Sequence, residues 1–216
     1  MLSWMRASDS EYRNMRLAKV VELGTGGLKL TFAKDNTLFR PQILNEIGRA
    51  HHRLGQYEQA LESFTEAFHQ AQYVNFHGLR TYAEHGLATT LQDLDAFDDS
   101  LRHYESCYSA TVNYSSNISL EDARLSIVCR YNYARLLGMH GFSEKAKQIA
   151  GEAAGSCRRF DTFPVSGHLE FLLGILSDET GDVTHTREHL GRAHHLYQFY
   201  GDTVGESAVR NRLEQF

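Results

Sequence analysis

The stretch NEIGRAHHRLGQYEQALESFTEAF, residues 45–68, sets Gly48, Leu54-Gly55, Tyr57, Ala60, Phe64 and Ala67 at fixed intervals in otherwise polar text. Two antiparallel helices approach closely only where one presents Gly or Ala and the other a bulky side chain to fill the gap. Gly48 and Ala60 supply the room and Phe64 the bulk, worth roughly 1.5–3 kcal/mol when fully buried. Gly55 falls where the first helix must stop, since a left-handed residue there is easiest for glycine. The spacing therefore predicts two helices joined by a tight turn.

The same text returns along the chain. GQYEQALESFTEA (55–67) aligns with DAFDDSLRHYESC (95–107), GFSEKAKQIAGEA (141–153) and GDVTHTREHLGRA (181–193). Tyr57, Phe97, Ser143 and Val183 form one column and Ala60, Ser100, Ala146 and Thr186 the next. Phe64, Tyr104, Ala150 and Leu190 form a third, and Ala67, Cys107, Ala153 and Ala193 a fourth. The steps are 97 − 57 = 40, 143 − 97 = 46 and 183 − 143 = 40. Upstream, Ile47-Gly48, Leu87-Ala88, Tyr133-Ala134 and Leu173-Gly174 also align, so each unit is a helix pair.

This pattern resembles the tetratricopeptide repeat family, matched by Leu44, Ile47, Gly48, Leu54, Gly55, Tyr57, Ala60, Phe64 and Ala67, with His51 departing at the aromatic position. The resemblance covers residues 38 to 216 and is most specific in the first repeat. It implies an all-α, right-handed α-α superhelix of four helix pairs over residues 38–202, with N-terminal helices over 1–37, as a degenerate repeat or cap, and a capping helix over 203–216. The long period resembles that of bacterial signalling and transcription regulators. The helical pattern running to Phe216 leads us to expect a larger regulator with an output domain elsewhere.

Composition narrows the function. The 216 residues carry a formal charge of −5, which argues against the basic stripe a nucleic-acid surface needs. No apolar run is long enough for a membrane span or a signal peptide, so a cytoplasmic protein is expected. Cys107, Cys129 and Cys157 are odd in number and far apart, as reduced packing thiols are.

The GTGG of residues 24–27 lacks the Lys-Ser or Lys-Thr of a phosphate loop and reads as a kink or break between helices. Trp4, the only tryptophan, is expected to seal the N-terminal end. TVNYSSNISLED (111–122) reads as an elongated loop ending in a Ser-x-x-Asp helix start.

Neither a nucleophile motif nor a Cys-His arrangement appears, so no enzyme and no cofactor are expected. His185 and His189 stand four apart on one helical face with His194-His195 beyond. Thr186 follows His185 where a metalloprotease has Glu, and a metal site is the lesser reading.

The resemblance implies that the first helix of each pair lines a concave groove gripping a protein or peptide. Carried over, the lining comprises Asn45, Arg49, His52 and Arg53, then His85, Thr89, Gln92 and Asp93. Tyr131, Asn132 and Arg135 follow, and finally Phe171, Ile175 and Asp178. Asn45 and Arg49 match the carboxylate clamp of chaperone-binding members, but Gly86 and Val128 stand where that clamp has Asn and Lys. Arg49, Arg53 and Arg135 favour an acidic segment as partner. Homodimerisation through the degenerate end repeats is the competing expectation.

Overall fold

The computed structural model describes residues 2–33, 37–112, 119–160 and 163–215. Every regular element among them is helical. Helix α1 (Leu2–Ala33) precedes a short 3-10 turn. The pairs α2 (Arg40–Arg53)/α3 (Tyr57–Tyr73), α4 (His77–Asp93)/α5 (Phe97–Val112), α6 (Leu120–Met139)/α7 (Ser143–Phe160) and α8 (Phe163–Glu179)/α9 (Val183–Tyr200) follow, then α10 (Thr203–Leu213). Two compact units result, residues 1–107 and 108–216.

The repeat columns are the core. Ala60, Ser100, Ala146 and Thr186 are all fully buried, as are Ala67, Cys107, Ala153 and Ala193. The hydroxyls that replace Ala in the first of these columns find acceptors at once: Ser100 Oγ donates to Ala88 O and Thr186 Oγ1 to Asp182 O, each at 2.8 Å. Val183 remains largely exposed, so the Tyr57 column loses its packing role in the last pair.

The turns behave as the glycines predict. Gly55, Gly141 and Gly181 take φ of +72°, +82° and +76°, and Asp95 accepts the same left-handed position at 57°. Ser119 starts α6, its Oγ accepting from Asp122 N at 3.0 Å. Thr111 and Val112 still belong to α5 and Leu120–Asp122 to α6, so the loop expected over 111–122 is shorter at both ends; its middle, 113–118, lies outside the described residues.

Helix α1 corrects the reading of residues 24–27, because it runs unbroken through GTGG. Gly24 serves close approach instead: a Cβ there would lie 2.6 Å from Ile47 Cγ1 on α2, whereas a Cβ on Gly26 would meet nothing within 4 Å. One continuous helix thus replaces the expected N-terminal helices. The role assigned to Trp4 falls outside the described side chains.

A second periodic feature is ionic. Glu84, Arg130 and Glu170 occupy one column of the first helices, each nearly buried, and each meets a column of the second helices. Glu84 accepts from Ser106 Oγ at 2.6 Å with His103 Nδ1 at 3.6 Å. Arg130 Nε lies 3.9 Å from Glu152 and its guanidinium 5.6 Å from the Tyr108 ring. Glu170 accepts from His189 Nδ1 at 2.8 Å and Arg192 Nε at 2.9 Å. One turn earlier in the first pair, buried Arg40 holds Glu66 at 2.9 Å. Partnering at this depth is obligatory, since an uncompensated buried charge costs several kcal/mol.

Candidate partner-binding surface

In the first unit α2 and α4 lie side by side. His52 Nε2 approaches Asp93 Oδ2 to 2.9 Å across them, and its ring meets the Tyr57 edge at 5.7 Å. Arg49 pairs with Glu46 on its own helix. It also neighbours Tyr82, whose phenol burial pushes up against the opposing pull of the guanidinium. Arg53 is exposed.

Three expected lining residues of α4 are held from below. Buried Tyr104 on α5 places its hydroxyl 3.2 Å from Thr89 Oγ1 and donates to Gln92 Oε1 at 3.2 Å. Its ring lies 6.1 Å from that of His85. Enclosure lowers the His85 pKa to about 4, with the like charge of His52 adding to the effect. His85 is therefore a neutral, half-buried group at pH 7.

Asn45 does not line a surface, which corrects the expectation. It is 2% exposed and its amide donates to Leu79 O at 3.1 Å, joining α2 to α4. Gly86 likewise lies against the Phe64 ring, so this position serves packing rather than a clamp.

In the second unit, half-buried Tyr131 on α6 stands 6.2 Å from the His168 ring. His168 Nδ1 in turn lies 2.7 Å from Tyr197 OH. Burial raises the Tyr131 pKa and Arg135 opposes the shift. Asn132 is half-buried beside Tyr131, and Arg135 Nη1 reaches Met139 Sδ at 3.9 Å.

Phe171 packs against the core of Leu190, Ala193, Tyr197 and Val209. With Ile175 it lines a cleft of about 340 Å³ completed by α10, where Asp178 pairs with Arg212. The Phe171 ring is thus divided between core and cleft.

The sequence reading missed Tyr82, His168 and the α10 residue Arg212 on these surfaces, and the buried hydroxyl-bearing supports Tyr104 and Tyr197 beneath them. Tyr82 and His168 share a column, where the reading considered only Val128. The histidines are occupied too: His185 Nδ1 lies 2.6 Å from Asp182 Oδ2, and His189 meets buried Glu170. No group of three His, Cys, Asp or Glu placed to hold a metal ion occurs among the described residues. None of the described helices is long and apolar enough to cross a membrane.

Helix pairs with small residues at the crossings, glycine or aspartate turns and a 40-residue recurrence define the tetratricopeptide-type fold. Solved structures agree. The TPR-like repeats of a Podosopora anserina kinesin light chain superpose with a TM-score of 0.65 at 14% identity over 92% of this chain and 94% of that one. A Rap protein complexed with Competence and Sporulation Factor gives 0.72 at 15% identity, over 93% of this chain and 54% of its own. PlcR from Bacillus thuringiensis, solved with the peptide PapR7 and DNA, gives 0.68 at 14%, over 91% and 69%. The chain thus spans about half the length of the Rap protein. No family model and no curated protein matches the sequence.

Proposed function

We propose that the chain is a scaffold that binds a protein or peptide on the faces of its first helices, as the sensory or regulatory part of a signalling system, and carries out no chemistry itself. The observation carrying this reading is the segregation of side chains. Within each pair the small and apolar columns are buried, whereas Arg49, His52, Arg53, Gln92 and Asp93, and separately Tyr131, Asn132 and Arg135, keep solvent-accessible surface. Arg53 and Arg135 face no carboxylate among the described residues, so an acidic segment is the partner chemistry they fit. The Rap and PlcR structures, which hold the Competence and Sporulation Factor and the PapR7 peptide on the same fold, support this reading. A net charge of −5 supports a partner other than nucleic acid, and three buried free cysteines suit a cytoplasmic address.

Photo-crosslinking tests the face. A benzophenone side chain at Asp93, beside His52, or at Met139, beside Arg135, leaves both arginines in place and should capture a short acidic peptide, and one at Glu62 or Glu144 on the second helices should not. Equal capture from both sets removes the first-helix face from the account.

A second reading, self-association, is favoured by Phe199 and Val204, each 80% exposed beside the α9–α10 turn. A concentration-independent monomer in light scattering eliminates it.

A further inference from the structure

The second unit has a cleft outside the first-helix surface. It measures about 330 Å³, at the lower end of the range that holds small ligands. Ala154, Cys157 and Arg158 of α7, Ser166 and Glu170 of α8, and Arg192, His195 and Leu196 of α9 line it. On α8, Glu170 points about 100–140° away from Phe171 and Ile175 around the helix axis, so this cleft and the first-helix surface use different faces.

Its chemistry is two-sided. Ala154 and Cys157 are buried and Leu196 half-buried, which makes one wall apolar. Arg158, Arg192 and His195 are exposed and bring nitrogen donors to the rim. The one acid, Glu170, is 7% exposed and already neutralised by His189 and Arg192. That bond engages Arg192 through Nε, while half of its side chain remains accessible. Glu188 also lies 3.9 Å from Arg192 Nη1, so the charge of Arg192 is matched, and Arg158 is the lining cation that meets no carboxylate among the described residues. The cleft therefore offers an apolar wall beneath a rim with two arginines against one buried, already paired acid.

We infer that this cleft binds a small monocarboxylate with a hydrocarbon body, such as a medium-chain fatty acid, its chain against Ala154, Cys157 and Leu196 and its carboxylate at Arg158 and Arg192. The rim favours an anion because the arginine fork matches a carboxylate. The apolar wall favours a ligand that brings its own apolar surface out of water. An amine of equal length would meet two guanidinium groups and no free acid.

Calorimetric titration of the full chain with octanoate, octylamine, acetate and a Leu-terminated tetrapeptide bearing a free carboxylate tests this. Octanoate is expected to bind, with acetate and octylamine at least about tenfold weaker. Arg158→Glu, a change at an exposed position, is expected to weaken octanoate about tenfold or more, and Leu196→Phe to weaken it by filling the cleft, with helical content unchanged in both. No heat with octanoate, equal binding of octylamine, or an Arg158→Glu variant that binds octanoate as before overturns the proposal. Preference for the tetrapeptide overturns the small-molecule assignment. Because the peptide faces lie on α2, α4 and α6, loss of this site leaves the proposed scaffold function standing, and the converse holds.

Discussion

The Phe64 ring packs directly against Gly86, so that a Cβ added to the glycine would meet Phe64 Cε1 at 2.4 Å. The same ring covers Gly48 at 2.9 Å. One second-helix aromatic thus fixes the distance of α3 from both α2 and α4.

Gly86→Ala is therefore expected to destabilise the protein by roughly 1–3 kcal/mol through overpacking, despite a helix-propensity gain of about 1 kcal/mol for Ala over Gly. Adding Phe64→Leu should recover part of the loss. A thermal double-mutant cycle that is additive would mean that the ring and the glycine are not in contact.

Asp95 sits left-handed where three other turns have glycine. Asp95→Gly is expected to raise the melting temperature slightly, by the equivalent of about 0.5–1 kcal/mol, and Asp95→Val to lower it, since a branched side chain resists φ above zero. Equal melting temperatures for the two variants would refute this placement.

The neutral His85 makes stability depend on pH. With a folded pKa of about 4 against 6.5 for the free group, the unfolded chain binds a proton that the folded chain excludes between those values. This contribution, at most about 3 kcal/mol, is complete above pH 6.5 and is lost as the pH falls toward 4. His85→Phe, which places in this column the residue found at Phe171, should flatten stability across that window in chemical denaturation at stepped pH. An unchanged slope would assign the dependence to other groups.

Glu170 tests the buried ionic column. Burial alone would raise its pKa, but hydrogen bonds from His189 and Arg192 outweigh it and the net shift is downward. His189→Ala with Arg192→Ala is expected to cost about 3 kcal/mol at pH 7 by leaving a buried carboxylate unpaired. In that variant burial acts alone, so the deficit should shrink as the pH is lowered and Glu170 takes up a proton. A deficit that grows on acidification would contradict the pairing.

The fold was legible because packing repeats: the columns through Ala60, Phe64, Ala67 and Ile47 recur, and each is buried in every pair. Gly55 could be placed for the same reason. The GTGG segment was misread because propensity penalises glycine in a helix, whereas Gly24 gains from the close approach of Ile47. The surfaces were less legible. Periodicity places Asn45 on the same column as His85 and Tyr131, yet it cannot show that the Asn45 amide is taken by the Leu79 carbonyl. Nor does spacing reveal that Tyr104 ties down Thr89 and Gln92, or that His168 joins Tyr131 to Tyr197. Those links are tertiary, and they divide exposed arginines from polar groups already committed to the fold.

The central claim concerns those arginines, and fluorescence anisotropy of a short labelled Glu-Ala peptide against the wild type and the Arg53→Glu/Arg135→Glu variant tests it most directly. The account predicts measurable binding to the wild type, at least about tenfold weaker binding to the variant, which is about 1.4 kcal/mol, and an unchanged helical spectrum. Equal affinity for both proteins, or a wild type that prefers the matching Lys-Ala peptide, would contradict it.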